Sequence, residues 1–213
     1  MKLPLILVTS TLLIPPTLGD DIQLTVKTTT GTYTGFINTN TAINTPNVAQ
    51  WLGIPYARPP LGPLRFRAPQ PLPPAAVNSN NNTAVDAKSY KPICMQDGLH
   101  TGVFWELVPE FQNTDPQSED CLYLNIWAPA PPKPATAAEV QKEKLLPVII
   151  WVCGGSYREG GGHAPYQVPD RWVERTRGHL VVTFNYRLNV FGFPGLRGGD
   201  ENRNVGLMDA RIL

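Results

Sequence analysis

Cys153-Gly154-Gly155-Ser156-Tyr157 follows directly on an apolar run from Pro147 to Val152, and three further glycines stand at 160–162. A strand that empties into a glycine-rich loop can bring backbone N–H groups up to a ligand oxygen with no side chain in the way. Donors held like that stabilise the charge that develops on a carbonyl oxygen during acyl transfer. The plain alternative is a tight turn with no ligand. Acyl transfer also needs a nucleophile, and no G-x-S-x-G stretch occurs; Gly154-Gly155-Ser156-Tyr157-Arg158 comes nearest and fails at its last position. Ser10, Ser79, Ser89, Ser118 and Ser156 lack the strand–turn–helix glycine setting that exposes a nucleophilic hydroxyl.

The elements that must position this loop are legible as patterns. Val148 to Val152 and Leu180 to Phe184 are continuous apolar runs, the composition of strands covered on both faces. Between them Asp170 can cap a helix through Trp172, Val173 and Arg177, which Gly178 would stop. Strand, helix, strand in that order make a crossover unit of a parallel sheet. Upstream, Ile22, Leu24 and Val26 alternate with polar residues, Gly31 marks a turn and Tyr33 to Ile37 returns, which predicts an N-terminal hairpin. Cys121 to Ala128 alternates again, with Leu122, Leu124 and Ile126 on one face and Tyr123, Asn125 and Trp127 on the other. Asn204 can cap a last helix carrying Val205, Leu207, Met208 and Ile212. Prolines cluster at 58–74 and 128–134, which read as extended, turn-rich surface.

Composition narrows the function. The chain has 213 residues, 42% of them hydrophobic, and a formal net charge of +1. That suits one domain or part of a larger one, and gives no electrostatic reason to expect nucleic acid. Met1-Lys2, the apolar run Leu3 to Ile14 and the small residues Thr17 and Gly19 predict a secretory signal peptide over residues 1–19. About a dozen apolar residues fall short of the roughly 20 needed to span a bilayer. Three cysteines without zinc spacing and three scattered histidines (His100, His163, His179) predict no metal and no cofactor. Cys94 and Cys121 flank a loop with its own aromatics (Phe104, Trp105, Phe111), and an oxidising compartment would let them pair. Cys153, at the end of its strand, is expected to be a buried, inert thiol. Asn81-Asn82-Thr83 is a glycosylation sequon in an Asn-rich loop.

Five blocks then occur in a telling order. They are Gly53-Ile54-Pro55-Tyr56-Ala57-Arg58-Pro59-Pro60 with Leu64-Arg65-Phe66; Ser118-Glu119-Asp120-Cys121-Leu122-Tyr123-Leu124-Asn125-Ile126-Trp127; Pro147 to Ser156; Asn185-Tyr186-Arg187-Leu188 with Phe191-Gly192-Phe193; and Asn204-Val205-Gly206-Leu207-Met208-Asp209. Together they resemble the type-B carboxylesterases, a family that includes cholinesterases and fungal secreted lipases. The resemblance covers nearly all of the chain after residue 19.

The resemblance implies an α/β-hydrolase fold, here incomplete: an N-terminal hairpin plus the first strands of a central, mostly parallel sheet, over residues 20–213. It implies a serine–acid–histidine triad acting on a carboxylic ester, with all three groups beyond the last helix seen here. The backbone N–H groups of Gly155 and Ser156, on the loop that begins at Gly154, take the place of the family's oxyanion donors. A third glycine is more usual where Ser156 stands; if that position needs a positive φ, serine costs roughly 1–2 kcal/mol there. Asn189 stands where glycine is usual, and is the least costly substitute in a left-handed backbone. The resemblance further implies a Cys94–Cys121 disulfide and two ion pairs, Arg65 with Glu119 and Arg187 with Asp209. The expected product is thus the N-terminal part of a secreted ester hydrolase, inactive alone. The other reading is a non-catalytic binding module or pseudogene product. Neither reading fixes an oligomeric state.

Overall fold

The computed structural model describes residues 24–38, 47–74, 84–97, 107–108, 110, 115–130, 145–195 and 203–213. Residues 1–19, expected to be a signal peptide, the Asn81 sequon and the aromatics Phe104, Trp105 and Phe111 lie outside the described residues.

Among the described residues the strands are, in chain order, β1 Thr25–Lys27, β2 Thr32–Thr34, β3 Phe36–Ile37, β4 Val48–Pro55, β5 Val85–Asp86, β6 Ile93–Cys94, β7 Gln117–Ser118, β8 Tyr123–Pro129, β9 Val148–Val152 and β10 Leu180–Phe184. The α-helices described are α1 Asp170–Thr176, between β9 and β10, α2 Asn189–Gly192 and α3 Val205–Ile212. β1 and β2 form the N-terminal antiparallel hairpin, and β5 adds to β2. Leu24 is buried beside it, whereas Val26 is exposed, so the hairpin's apolar face does not extend to Val26.

The central sheet runs β3-β4-β8-β10-β9. Only β10 with β9 is a parallel pair; β3–β4, β4–β8 and β8–β10 are antiparallel. A mostly parallel sheet is therefore not what these residues build. The reason is connectivity: a parallel neighbour needs a crossover, and α1 supplies one only between β9 and β10.

β9 corrects a second expectation. Val148, Ile150, Trp151 and Val152 are exposed, because β9 is the outer strand of the sheet. β10, with a neighbour on each side, buries Val181, Thr183 and Phe184. Two runs of similarly apolar character thus differ in burial through their place in the sheet. In β8 the buried face is Asn125 and Trp127, not the Leu124 and Ile126 face. Asn125 tolerates burial because it is bonded: its Oδ1 accepts from Gly53 N at 2.9 Å and its Nδ2 reaches Thr183 Oγ1 at 3.2 Å. Gly53, φ +70°, sits at the register shift of β4 between Trp51 and Ile54.

One core gathers Val48, Leu52, Trp127, Val173 and Val181, so α1 packs on the β4–β8–β10 face. A second gathers Cys153, Phe184, Tyr186 and Leu188, with Tyr56, Leu124 and Ala210 against it. At α1 the N-cap is Pro169, not Asp170; the Asp170 carboxylate instead accepts a bond from Gln50 Nε2 in the interior. At the other end the chain turns left-handed at Arg177 (φ 49°), one residue before Gly178, and Arg177 N–H closes on Val173 O at 2.9 Å. Asn204 does precede α3, its carbonyl accepting from Leu207 and Met208, but its side chain makes no cap bond.

Candidate functional site

The glycine loop leaves β9 at Cys153, which is buried, and immediately becomes exposed at Gly154, Ser156, Tyr157 and Arg158. Its backbone is left-handed for most of its length: Gly155 φ +138°, Ser156 +57°, Tyr157 +61° and Gly160 +113°. Left-handed serine and tyrosine persist only when the surroundings hold them there. The holding is done mainly through carbonyls. Gly155 O accepts from Arg158 N (3.0 Å) and Glu159 N (3.2 Å), Tyr157 O from Asn189 N (2.7 Å), and Cys153 O from Tyr186 Oη (3.1 Å). Further along, Gly160 N donates to Gln96 Oε1 (2.8 Å) and Gly162 N to Asn185 Oδ1 (2.8 Å). The amides of Gly154, Gly155 and Ser156 donate to no acceptor among the described residues. Three successive donors are thus left available at the end of a strand.

The glycines are not equivalent. A β-carbon on Gly155 would overlap the Glu159 carbonyl oxygen, and one on Gly160 would strike Gly154 O. A β-carbon on Gly154 would meet nothing within 4 Å. Gly155 is therefore required by the turn, whereas Gly154 leaves open space beside the free amides. An open cleft of about 410 Å³ adjoins the loop between Gln96, Asp97, Arg158 and Asn189. At its rim Arg158 Nη2 lies 3.5 Å from Asp97 Oδ2, both side chains more than half exposed, a pairing of little energetic weight.

Below the loop lies a buried charged knot. Arg187 donates to Asp209 from its backbone N (3.0 Å), from Nε (2.9 Å) and from Nη2 (2.7 Å). Burial pushes the Asp209 carboxyl above its ordinary range, against the pull of Arg187. Gly192 and Gly206 press on the Arg187 carbonyl so closely that a β-carbon on either would overlap it. Arg65 and Glu119 pair through two bonds of 2.5 Å nearer the surface. Cys94 and Cys121 form a disulfide, and closing a loop of that length contributes roughly 3–4 kcal/mol in a chain-entropy treatment. Cys153 is the one free cysteine; burial pushes its thiol up to about 12, so it is protonated and unreactive at neutral pH. Among the described residues no group of three His, Cys, Asp or Glu side chains is placed to hold a metal, and no helix is long and apolar enough to cross a membrane.

A family model described as the carboxylesterase family matches residues 22–212. The chain belongs to the carboxylesterase family. It is similar to a chlorogenic acid esterase of Aspergillus niger, 40% identical over 89% of this chain and 34% of that protein. Secreted lipase 5 of Gibberella zeae is 37% identical, over 99% of this chain and 38% of its own length. An acetylcholinesterase of Bungarus fasciatus is 36% identical over 89% of this chain and 28% of its own. The chain spans about a third of the length of these relatives.

In this carboxylesterase-family chain the sequence-derived residues gather around one end of β9 and β10. The glycine loop, Asn189 and the Arg187–Asp209 knot are contiguous, joined by the Asn189 N to Tyr157 O bond. Arg65–Glu119 and the disulfide border the same region, lining a small pocket with Arg187 and Phe191. Four supporting residues escaped the sequence reading: Gln96, Asn185, Thr183 and Tyr56. Asn185 bridges Gly162 N and Pro92 O, Thr183 Oγ1 donates to Gly162 O, and Tyr56 Oη donates to Asn185 O at 2.6 Å. Polar residues inside otherwise apolar runs, Asn125 and Thr183 above all, were the available signal, since such groups are buried only when bonded.

Proposed function

We propose that this chain is the N-terminal, oxyanion-bearing part of a secreted carboxylic-ester hydrolase whose serine, acid and histidine lie outside it. The observation that carries the reading is that the Gly155 and Ser156 amides donate to no acceptor among the described residues, on a loop where the Cys153, Gly155 and Tyr157 carbonyls are engaged, in a chain of the carboxylesterase family. A serine supplied elsewhere would attack the ester carbonyl, and the oxygen that takes up the negative charge would accept from those two N–H groups. The change from the usual glycine to Ser156 keeps the N–H, so the donor survives. Residues 1–19 act as the signal peptide and Asn81 as a glycan acceptor; the name of the Gibberella zeae secreted lipase supports export. Cys94–Cys121 fits an oxidising compartment.

Ester turnover tests this reading. The chain alone, given a short-chain aryl ester, is expected to show no hydrolysis above buffer. Joined in place of the matching segment of the Aspergillus niger esterase, residues 22–212 are expected to give turnover. Clear hydrolysis by the chain alone would overturn the placement of the nucleophile. A folded chimaera without activity would overturn the oxyanion assignment.

A further inference from the structure

Resting on that reading of the loop, we propose that Gln96 is its positioning residue, coupling the disulfide-anchored segment at Cys94 to the turn that presents the Gly155 and Ser156 amides. The geometry is reciprocal. Gln96 Oε1 accepts from Gly160 N at 2.8 Å, and Gln96 Nε2 donates to Gly160 O at 2.9 Å, so one side-chain amide pairs with both backbone groups of a single residue as a strand neighbour would. Gly160 closes the far side of the turn, with φ +113°, and a β-carbon on it would lie 2.5 Å from Gly154 O. Fixing Gly160 therefore fixes the approach of the chain to Gly154, the start of the donor set.

Gln96 is itself held. Its Nε2 also donates to Cys94 O at 3.0 Å, and its backbone N donates to Gln117 Oε1 at 2.9 Å. Cys94 lies in β6, paired in parallel with β7 (Ile93 with Gln117, Cys94 with Ser118), and the disulfide to Cys121 ties the same strands. A second tether runs beside the first: Asn189 Nδ2 donates to Met95 O at 3.1 Å while Asn189 N donates to Tyr157 O. The segment 94–96 thus touches the loop directly at Gly160 and indirectly at Tyr157. Loss of its carboxamide removes the direct link and leaves the core untouched.

Amide hydrogen exchange at single-residue resolution, on the full chain, tests this without substrate. In Gln96→Ala the Gly160 amide is expected to exchange about tenfold faster, the loss of roughly one hydrogen bond. Gln96→Glu keeps an acceptor for Gly160 N but sets its other oxygen against the Gly160 and Cys94 carbonyls, and is expected to restore protection only in part. Gln117→Ala, which removes a bond to the same segment without touching Gly160, is expected to leave Gly160 slow. Gly162, held by Asn185, serves as the internal reference and is expected to be unchanged in all three. An unaltered Gly160 rate in Gln96→Ala overturns the proposal, and so does acceleration of Gly162 and the β4–β8 amides to the same extent, since that is general destabilisation. Because no chemistry is read, these outcomes leave the oxyanion assignment standing; a silent chimaera with the predicted exchange pattern would sink only the latter.

Discussion

The glycine loop and the Arg187 turn are neighbours that use the same strained backbone to opposite ends. Ser156 and Tyr157 in the first, and Asn189 in the second, are non-glycine residues at positive φ. Around Arg187 the amides are used: Arg187 N on Asp209, Asn189 N on Tyr157 O, Gly192 N on Leu188 O, in a region where Arg187, Leu188 and Gly192 are buried. In the loop the Cys153, Gly155 and Tyr157 carbonyls are used, and the amides of Gly154, Gly155 and Ser156 meet no acceptor among the described residues, at exposed or half-exposed positions. Strain at the Arg187 turn is offset by a closed set of bonds and serves the fold. In the glycine loop, by contrast, strain leaves donors without an acceptor among the described residues near solvent, the pattern expected where a ligand completes the bonding.

The largest effect should come from opening the closed set. Asp209→Ala leaves Arg187 buried without its counter-charge and is expected to destabilise the fold by about 3–5 kcal/mol in denaturant titration. Replacing both partners with apolar residues of similar size should cost much less; equal cost would mean that packing, not charge, dominates there. Within the loop, Gly155→Ala is expected to lose about 1–3 kcal/mol through its positive φ and the overlap with Glu159 O. Gly154→Ala should stay within about 0.5 kcal/mol. Equal effects at the two glycines would erase the distinction between turn-forming and site-forming positions.

A third test uses pH. His163 follows the loop glycines, is buried, stacks on Tyr90 (centroids 4.4 Å apart) and has Nε2 3.0 Å from Asp115 Oδ2. Burial lowers its pKa more than Asp115 raises it. A depressed histidine pKa means that the unfolded chain binds the proton more readily. Stability from this group is therefore complete above the ordinary histidine value of about 6.5 and is lost as pH falls through the lowered folded value. Thermal midpoints should fall on acidification below that point, and His163→Gln should flatten the dependence; a midpoint that rises instead would reverse the sign assigned to burial. A small change of opposite sign is Ser156→Gly, which relieves a left-handed serine but adds unfolded-chain freedom. A net gain of up to about 1 kcal/mol is expected from thermal melts.

Much of this was written in the residue types. Glycines at 155 and 160 mark positions that only glycine can occupy without overlap, and Asn189 lies at φ 42°, the left-handed region its type tolerates. Arg65 with Glu119 and Arg187 with Asp209 meet as the family resemblance implied. What stayed hidden depended on neighbours rather than on local pattern. The apolar run of β9 reads the same as that of β10, yet an outer strand exposes what an inner one buries. Asp170 has the type of a helix cap, but Gln50, 120 positions away, claims its carboxylate. Gln96 lies 64 positions from Gly160, and no periodicity records a bond of that span.

The decisive measurement removes a single donor, with the Gly155 carbonyl made only a somewhat weaker acceptor. In the chimaera with the Aspergillus niger esterase, replacing the Ser156 backbone N–H by an ester oxygen keeps the side chain and the shape of the turn. If that amide holds the developing oxyanion, kcat should fall by about 10²–10³ while KM changes little. An unchanged kcat in a folded, substrate-binding protein would contradict it.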